Sequence, residues 1–340
     1  MDLAAYTTLG LGGSAARLVE AESDEAVVEA VRAADAAGEP LLVLAGGSNV
    51  VVADEGFPGV VVRLLTSGVG RDGTAFDVAA GEPWDPFVAA RVADGLAGVE
   101  CLSGIPGSVG ATPIQNVGAY GQEVSETIAS VRVLDRRSGE VVDLAGADCG
   151  FSYRSSRFKR EPGRFVVLRV RFALDDLGGA SRPVRYAELA RRLGIEAGDT
   201  APVAGVREAV LALRRGKGMV VDPGDADSVS AGSFFTNPIL SAEAFAELER
   251  RAGERPPAWP EGDGRVKTSA AWLIERAGFA RGHGDPVGIA ISDKHVLALT
   301  NRGAGTTVDL VALAREIAAA VRDRFGVELV PEPVFVGHDW

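Results

Sequence analysis

Behind Ser23, the stretch "DEAVVEAVRAADAAG" carries apolar residues at helical spacing and ends on Gly38, so it predicts a capped helix. Leu41–Leu44 reads as a short buried strand running into a Gly-Gly-Ser-Asn turn. Residues 59–65 and 75–81 read as further strands and 83–95 as a helix. Between 130 and 174 the pattern is β-rich, with "SVRVLD", "EVVDL" and "RFVVLRVRFAL" separated by Gly and Asp turn signals. A helical stretch of mixed character spans 186–215, and 219–238 is turn-rich. Ser241 caps a predicted helix, "AEAFAELERRAG", and 254–264 is rich in proline and glycine, either a linker or a functional loop. A helix at "TSAAWLIERAG", two strands within 288–300 and a helix over Thr307–Phe325 follow. The final "VELVPEPVFVG" predicts a strand broken by two prolines. No internal repeat interrupts this order, and the class is α+β.

Composition narrows the function classes. At 340 residues the chain is too long for one ordinary core, which predicts two or three domains. A net charge of −12 disfavours a nucleic-acid partner, because phosphate backbones need clustered Lys and Arg; a small phosphorylated ligand remains compatible. Two cysteines, Cys101 and Cys149, and three histidines form no metal-ligand spacing. No basic start precedes an apolar run and no window reaches the length of a membrane span, so a cytoplasmic protein without a membrane partner is expected.

Several motifs carry candidate chemistry, each with a plainer reading beside it. "GLGGSA" (residues 10–15) fits a dinucleotide fingerprint on paper but follows no buried strand, so the Rossmann reading is rejected. "AGGSNVV" does follow a strand, and its successive N–H groups suit an anion; an ordinary strand-to-loop turn is the alternative. "LSGIPGSVGATPIQNVGAYG" is dense in glycine without the charge of a disordered linker. Such backbone can approach a large flat ligand closely, or pack as a glycine-rich loop on the core. Arg154 in "FSYRSSRFK" suits a carboxylate through its planar fork, or a surface position. Glu332 in "PEPVF" is an acid held between two prolines, or an edge-strand residue facing water. Ser233 in "AGSFFTNP" is turn punctuation or a proton donor in a dry pocket.

Together, "TTLGLGG", "LAGGSNVVV", "SGIPGSVGATPIQNVGAYGQE", "FSYRSSRFK", "AGSFFTNP", "AAWLIERAG" and "PEPVF" resemble the UDP-N-acetylenolpyruvoylglucosamine reductase family, in the family's order and across about 7–337. The resemblance implies an FAD-binding region of the vanillyl-alcohol-oxidase type in two parts, 1–66 joined by 327–340 and 67–204. A UDP-sugar-binding α+β domain would occupy 205–326. FAD would be held non-covalently by Ala45, Gly46, Gly47, Ser48, Asn49 and Val50 at its pyrophosphate. Ile105, Gly107, Ser108, Gly110, Ala111, Gln115, Asn116, Gly118, Ala119 and Tyr120 would contact it along the glycine-rich segment. NADPH would deliver hydride, and UDP-N-acetylglucosamine enolpyruvate would accept it, in a monomeric enzyme of peptidoglycan precursor synthesis.

By the same resemblance Arg154 and Glu332 would stand at the substrate carboxylate, with Glu332 protonated when substrate is bound, and Ser233 would be the general acid. Tyr153, Tyr186, Lys217, Asn237, Trp259 and His295 would contact the UDP-sugar. Trp259 stands where many members carry tyrosine, in a loop of the family's longer type. His295 stands where some have glutamine, and Val334 where some have arginine. Two rivals remain: an oxidase of the same fold, although neither glycine-rich segment offers His or Cys for covalent flavin, and a UDP-sugar-binding protein without catalysis.

Overall fold

The computed structural model describes all 340 residues, which fold into two compact units. One comprises Met1, Ala15–Gly47 and Phe57–Gly216; the other comprises Asp2–Ser14, Ser48–Gly56 and Lys217–Trp340.

The first unit carries a parallel three-stranded sheet with Phe57–Leu64 between Ala15–Ala21 and Leu41–Leu44. Helix Asp24–Ala37 packs on it through Val27, Val31 and Ala34, one stripe of an amphipathic helix. Ser23 accepts from the Ala26 N–H and Gly38 closes the helix at φ 65°, as the sequence predicts. A five-stranded antiparallel sheet follows, ordered Glu140–Ala145, Ile128–Asp135, Phe165–Ala173, Ala75–Ala79, Val69–Asp72. Helix Trp84–Ala93 seals its apolar face with Trp84 and Phe87 against Phe76 and Phe172. The buried indole N–H of Trp84 donates to Leu102 O (3.1 Å), which ties the start of the glycine-rich segment to this core. The mixed stretch at 186–215 resolves into two helices, Ala187–Leu193 and Val203–Arg215.

The second unit is built on helix Thr307–Phe325, whose buried face meets a three-stranded antiparallel sheet of Ser230–Ser233, Ala298–Asn301 and Ile289–Ile291. Helices Ala242–Ala252 and Ala270–Arg276 pack beside it. Residues 254–264 are not a linker: within them Ala258–Pro260 pairs with Val266–Thr268 as an antiparallel ribbon. The last strand is also shorter than its pattern suggests. Both prolines precede it, and only Val334–Val336 pairs, in parallel, with Val50–Val52. Pro331 makes an isolated bridge to Phe235 instead, since proline cannot donate to a ladder. No helix is long and apolar enough to cross a membrane.

Gly10–Ala15, the discarded fingerprint, opens no helix and runs into strand Ala15–Ala21. Its glycines serve packing: a Cβ on Gly13 would lie 2.0 Å from the Asp54 carbonyl oxygen.

Candidate active site

In the first unit the glycine-rich segment is pinned on both sides by backbone bonds. Trp84 N donates to Gly107 O (3.0 Å), Val109 N to Glu82 O (2.8 Å) and Gly110 N to Ala80 O (2.8 Å). Glycine is required where this segment meets its neighbours. A Cβ on Gly110 would lie 2.4 Å from that of Ala80, and one on Gly46 would lie 2.6 Å from the Gly107 Cα. So Ala45, Gly46 and Gly47, at the end of strand Leu41–Leu44, lie against the 105–108 stretch that the sequence pairs with them. The side chain of Asp85 accepts from Gly104 N (2.6 Å) while paired in bidentate fashion with Arg207 (2.6 and 2.9 Å). Burial pushes the Asp85 carboxyl up, but the Arg207 and Gly104 hydrogen bonds outweigh it and hold the group below the usual carboxylate range.

Ser108 is buried and its Oγ has no hydrogen-bond partner within the protein. A buried hydroxyl left this way is costly unless a ligand completes it. With the close-approach glycines, it fits a wall built for a polar cofactor. Ile105, Ala111, Gln115, Gly118 and Ala119 are half-buried along the same segment. Tyr120 presents an edge-to-face contact to Tyr186 (centroids 5.5 Å apart), itself 44% exposed. Beside them Arg214 is buried; desolvation lowers its guanidinium to about 10, against the opposing pull of Tyr120 and Asp85, so it remains a cation at neutral pH.

Arg154 sits at the tip of a tight loop with φ 51°, its guanidinium 5.3 Å from the Tyr153 ring centroid and donating to Gly118 O (2.6 Å). The structure therefore brings Arg154 and Tyr153 to the glycine-rich segment. Asn116 is 1% exposed, and its side chain bonds Glu123, Ser125 and Ser152.

In the second unit Ser233 ends strand Ser230–Ser233, paired with Ala298. The register shifts between Ser230 and Ser233, and Gly232 takes φ 76°, so a bulge that needs glycine re-aims the chain just before the serine. Phe234 N donates to Leu297 O (2.7 Å) and Phe234 O accepts from Glu332 N (2.8 Å). Thus Ser233 and Glu332 lie on neighbouring extended segments, both half-buried. Asn49 joins them, its Nδ2 donating to Glu332 O (3.3 Å) and its carbonyl accepting from Val334 N (2.9 Å); Ser48 and Val50 flank it. His295 lies in the turn before Ala298–Asn301, its carbonyl accepting from Ala298 N (3.0 Å). Lys217 is half-buried in the turn after helix Val203–Arg215.

Asn237 Oδ1 caps helix Ala270–Arg276 through the Ala270 N–H (3.0 Å), a structural duty absent from the sequence reading. Trp259 is 46% exposed on the ribbon, opposite Lys267, whose ammonium pairs with Glu261 (2.9 Å). Asp85, Arg207 and Arg214 are not legible in the sequence because each acts through a partner distant in the chain, and Glu123 because its partner Asn116 meets it only through the turn between them.

Residues 222–336 match the family described as UDP-N-acetylenolpyruvoylglucosamine reductase, C-terminal domain, and residues 15–145 match the family described as FAD binding domain. The UDP-N-acetylenolpyruvoylglucosamine reductase of Streptomyces coelicolor is 61% identical over 342 residues, 98% of this chain and 89% of that protein. The enzyme of the same name from Thermobifida fusca is 58% identical over 349 residues, 99% of this chain and 97% of that protein. This chain belongs to the UDP-N-acetylenolpyruvoylglucosamine reductase family. The crystal structure of UDP-N-acetylenolpyruvylglucosamine reductase from Thermus caldophilus shares the fold, with a TM-score of 0.68 at 26% identity, covering 99% of this chain and 97% of that one. The reductase family membership makes the chain an FAD-containing oxidoreductase of peptidoglycan synthesis that acts on UDP-N-acetylglucosamine enolpyruvate. Its α+β architecture is an FAD-binding region of the vanillyl-alcohol-oxidase type with a substrate-binding domain.

Proposed function

We propose that the protein uses NADPH to reduce its flavin and then converts UDP-N-acetylglucosamine enolpyruvate to UDP-N-acetylmuramate, with Ser233 as proton donor. The reading rests on one observation: residues far apart in the chain, Ser233 and Glu332, are fixed on neighbouring segments by the Glu332 N–H to Phe234 O bond.

The main-chain groups of Ala45–Gly47, Ser48 and Asn49 would hold the FAD pyrophosphate, and the 105–120 segment with Ser108 Oγ would contact the flavin. Bound FAD supplies the hydride. Hydride addition at the vinyl carbon builds negative charge that spreads into the adjoining carboxylate, so the protein must stabilise a developing dianion and deliver a proton. Arg154 holds the carboxylate through its fork and offsets that charge. Glu332 stands at the same group and is protonated there, because two facing carboxylates repel. Ser233 Oγ–H gives its proton to the adjoining carbon; a hydroxyl is a weak acid, but the receiving carbanion is strongly basic and placement decides the rate. Lys217 neutralises the UDP diphosphate, and Tyr153, Tyr186, Asn237, Trp259 and His295 shape the UDP-sugar site. The protein acts as a monomer.

An anaerobic spectrum through one cycle tests this reading. Stoichiometric NADPH should bleach the flavin, the enolpyruvate substrate should restore its colour, and UDP-N-acetylmuramate should be recovered. Colour restored by oxygen alone would assign an oxidase instead, and a colourless protein that binds UDP-sugar would remove catalysis altogether.

A further inference from the structure

We propose that Asn116, in the middle of the cofactor segment, is a positioning residue for Arg154 and acts through a closed ring of hydrogen bonds. Its Nδ2 donates to Glu123 Oε2 (2.7 Å) and to Ser152 O (3.1 Å), and its Oδ1 accepts from Ser125 N (3.1 Å). These partners fix the amide's orientation, since a carbonyl only accepts and a backbone N–H only donates. Ser152 and Ser155 exchange backbone bonds (2.9 and 3.0 Å), which closes the loop that presents Tyr153 and Arg154. The Ser152 carbonyl therefore serves both the loop and Asn116, using both its lone pairs.

The ring closes on its other side. Gly118 and Glu123 pair across a two-stranded ribbon, and Gly118 O accepts from the Arg154 guanidinium (2.6 Å). A Cβ on Gly118 would sit 2.9 Å from Arg154 Nη1, so glycine makes room for the arginine. Ser156 Oγ donates to Ile114 O (2.5 Å) and anchors the far end of the loop to the same segment.

Backbone strain marks the same place. The chain's non-glycine residues at positive φ are Asn116 (48°), just before this ribbon, Tyr120 (48°), in its turn, and Arg154 (51°), on the loop. Asn tolerates that region; Tyr and Arg persist there only where their surroundings hold them. Asn116 joins the two strained segments from the glycine-rich side, as Arg154 and Ser156 do from the loop. At 1% exposure, with three intramolecular bonds, its amide serves the arginine loop, and any contact it makes with FAD falls to its backbone.

The proposal rests on the role of Arg154 given above. Its test compares full-length, FAD-loaded Asn116→Ala, Arg154→Ala and the double variant in FAD affinity by flavin fluorescence and in each half-reaction. Amide hydrogen exchange at Ser155 is followed in the FAD-free protein. Asn116→Ala should retain FAD and its reduction by NADPH, slow reoxidation by the enolpyruvate about 100-fold, as a displaced clamp does, and speed exchange at Ser155. In the double variant it should add nothing to Arg154→Ala. Loss of FAD with unchanged exchange at Ser155 would make Asn116 a cofactor residue and overturn the proposal, as would unaltered reoxidation. If Arg154→Ala itself reoxidises normally, the carboxylate role of Arg154 fails, while Ser155 exchange still reports whether the ring holds the loop. Should Asn116→Ala not fold, Glu123→Gln, which keeps an acceptor, should slow reoxidation less than Glu123→Ala; equal loss would count against the ring.

Discussion

The amide of Glu332 donates to the carbonyl of Phe234 at 2.8 Å, and the amide of Phe234 donates onward to Leu297. The residue after Ser233 is thereby held by main-chain bonds on both of its edges, and Ser233 itself pairs with Ala298. A hydroxyl is a useful acid only if held still, and this arrangement supplies the stillness.

The rings that follow the serine should matter to the same end. Phe234 is 1% exposed, with Phe235, Phe335 and Trp340 at 5.2, 6.3 and 6.3 Å between centroids. Phe234→Ala should cost roughly 3–5 kcal/mol, seen as a lower urea midpoint. It should also slow flavin reoxidation by the enolpyruvate more than reduction by NADPH, since the register beside Ser233 loosens. A variant as stable as the parent would contradict this.

The Asp85–Arg207 pair should make the stability of the first unit pH-dependent. The folded carboxyl lies below its ordinary value, so the pair's contribution is fully present above the unfolded value of about 3.9 and is lost as pH falls through the folded one. Asp85→Asn should be less stable than the parent by about 2 kcal/mol near neutrality, the scale of hydrogen bonds to a charged group. Unfolding followed against pH should show that gap closing below pH about 4. Because Asp85 also holds Gly104 N, the variant should bind FAD more weakly.

Asp54 should be a stronger cap for helix Thr307–Phe325 than the helix's own capping box. Thr306 and Asp309 bond reciprocally, while Asp54 accepts from Thr307 N (2.9 Å) and Val308 N (3.0 Å) across a long separation in sequence. A carboxylate at a helix N-terminus satisfies orphan donors and meets the favourable end of the dipole. Thr306→Ala should cost about 1 kcal/mol and Asp54→Ala up to about 2 kcal/mol; a thermal melt of each variant gives the order.

What the sequence discloses follows from the range of each interaction. Helices Asp24–Ala37 and Thr307–Phe325 are legible because a cap, a stripe and a terminal glycine are all local. Strand Ala15–Ala21 is hidden because its burial does not alternate, and Val69–Asp72 because none of its residues is buried. The glycines at 46, 107 and 110 can be noticed in sequence, but their partners cannot. Asp54, Asp85 and Asn116 have no periodic signature at all, since each acts on backbone groups that only the fold brings near. Ser233, Arg154 and Glu332 stand out by the motifs around them. The bulge at Gly232 and the Glu332 N–H to Phe234 O bond that fix two of them are tertiary facts.

The measurement that tests the account most directly is anaerobic stopped-flow of Ser233→Ala, with the two half-reactions followed separately at the flavin band. Reduction by NADPH should proceed at the parent rate, and reoxidation by UDP-N-acetylglucosamine enolpyruvate should slow by roughly 10²–10⁴-fold, the range for a lost general acid. Equal slowing of both halves, or reoxidation at the parent rate, would contradict the assignment of the proton to Ser233.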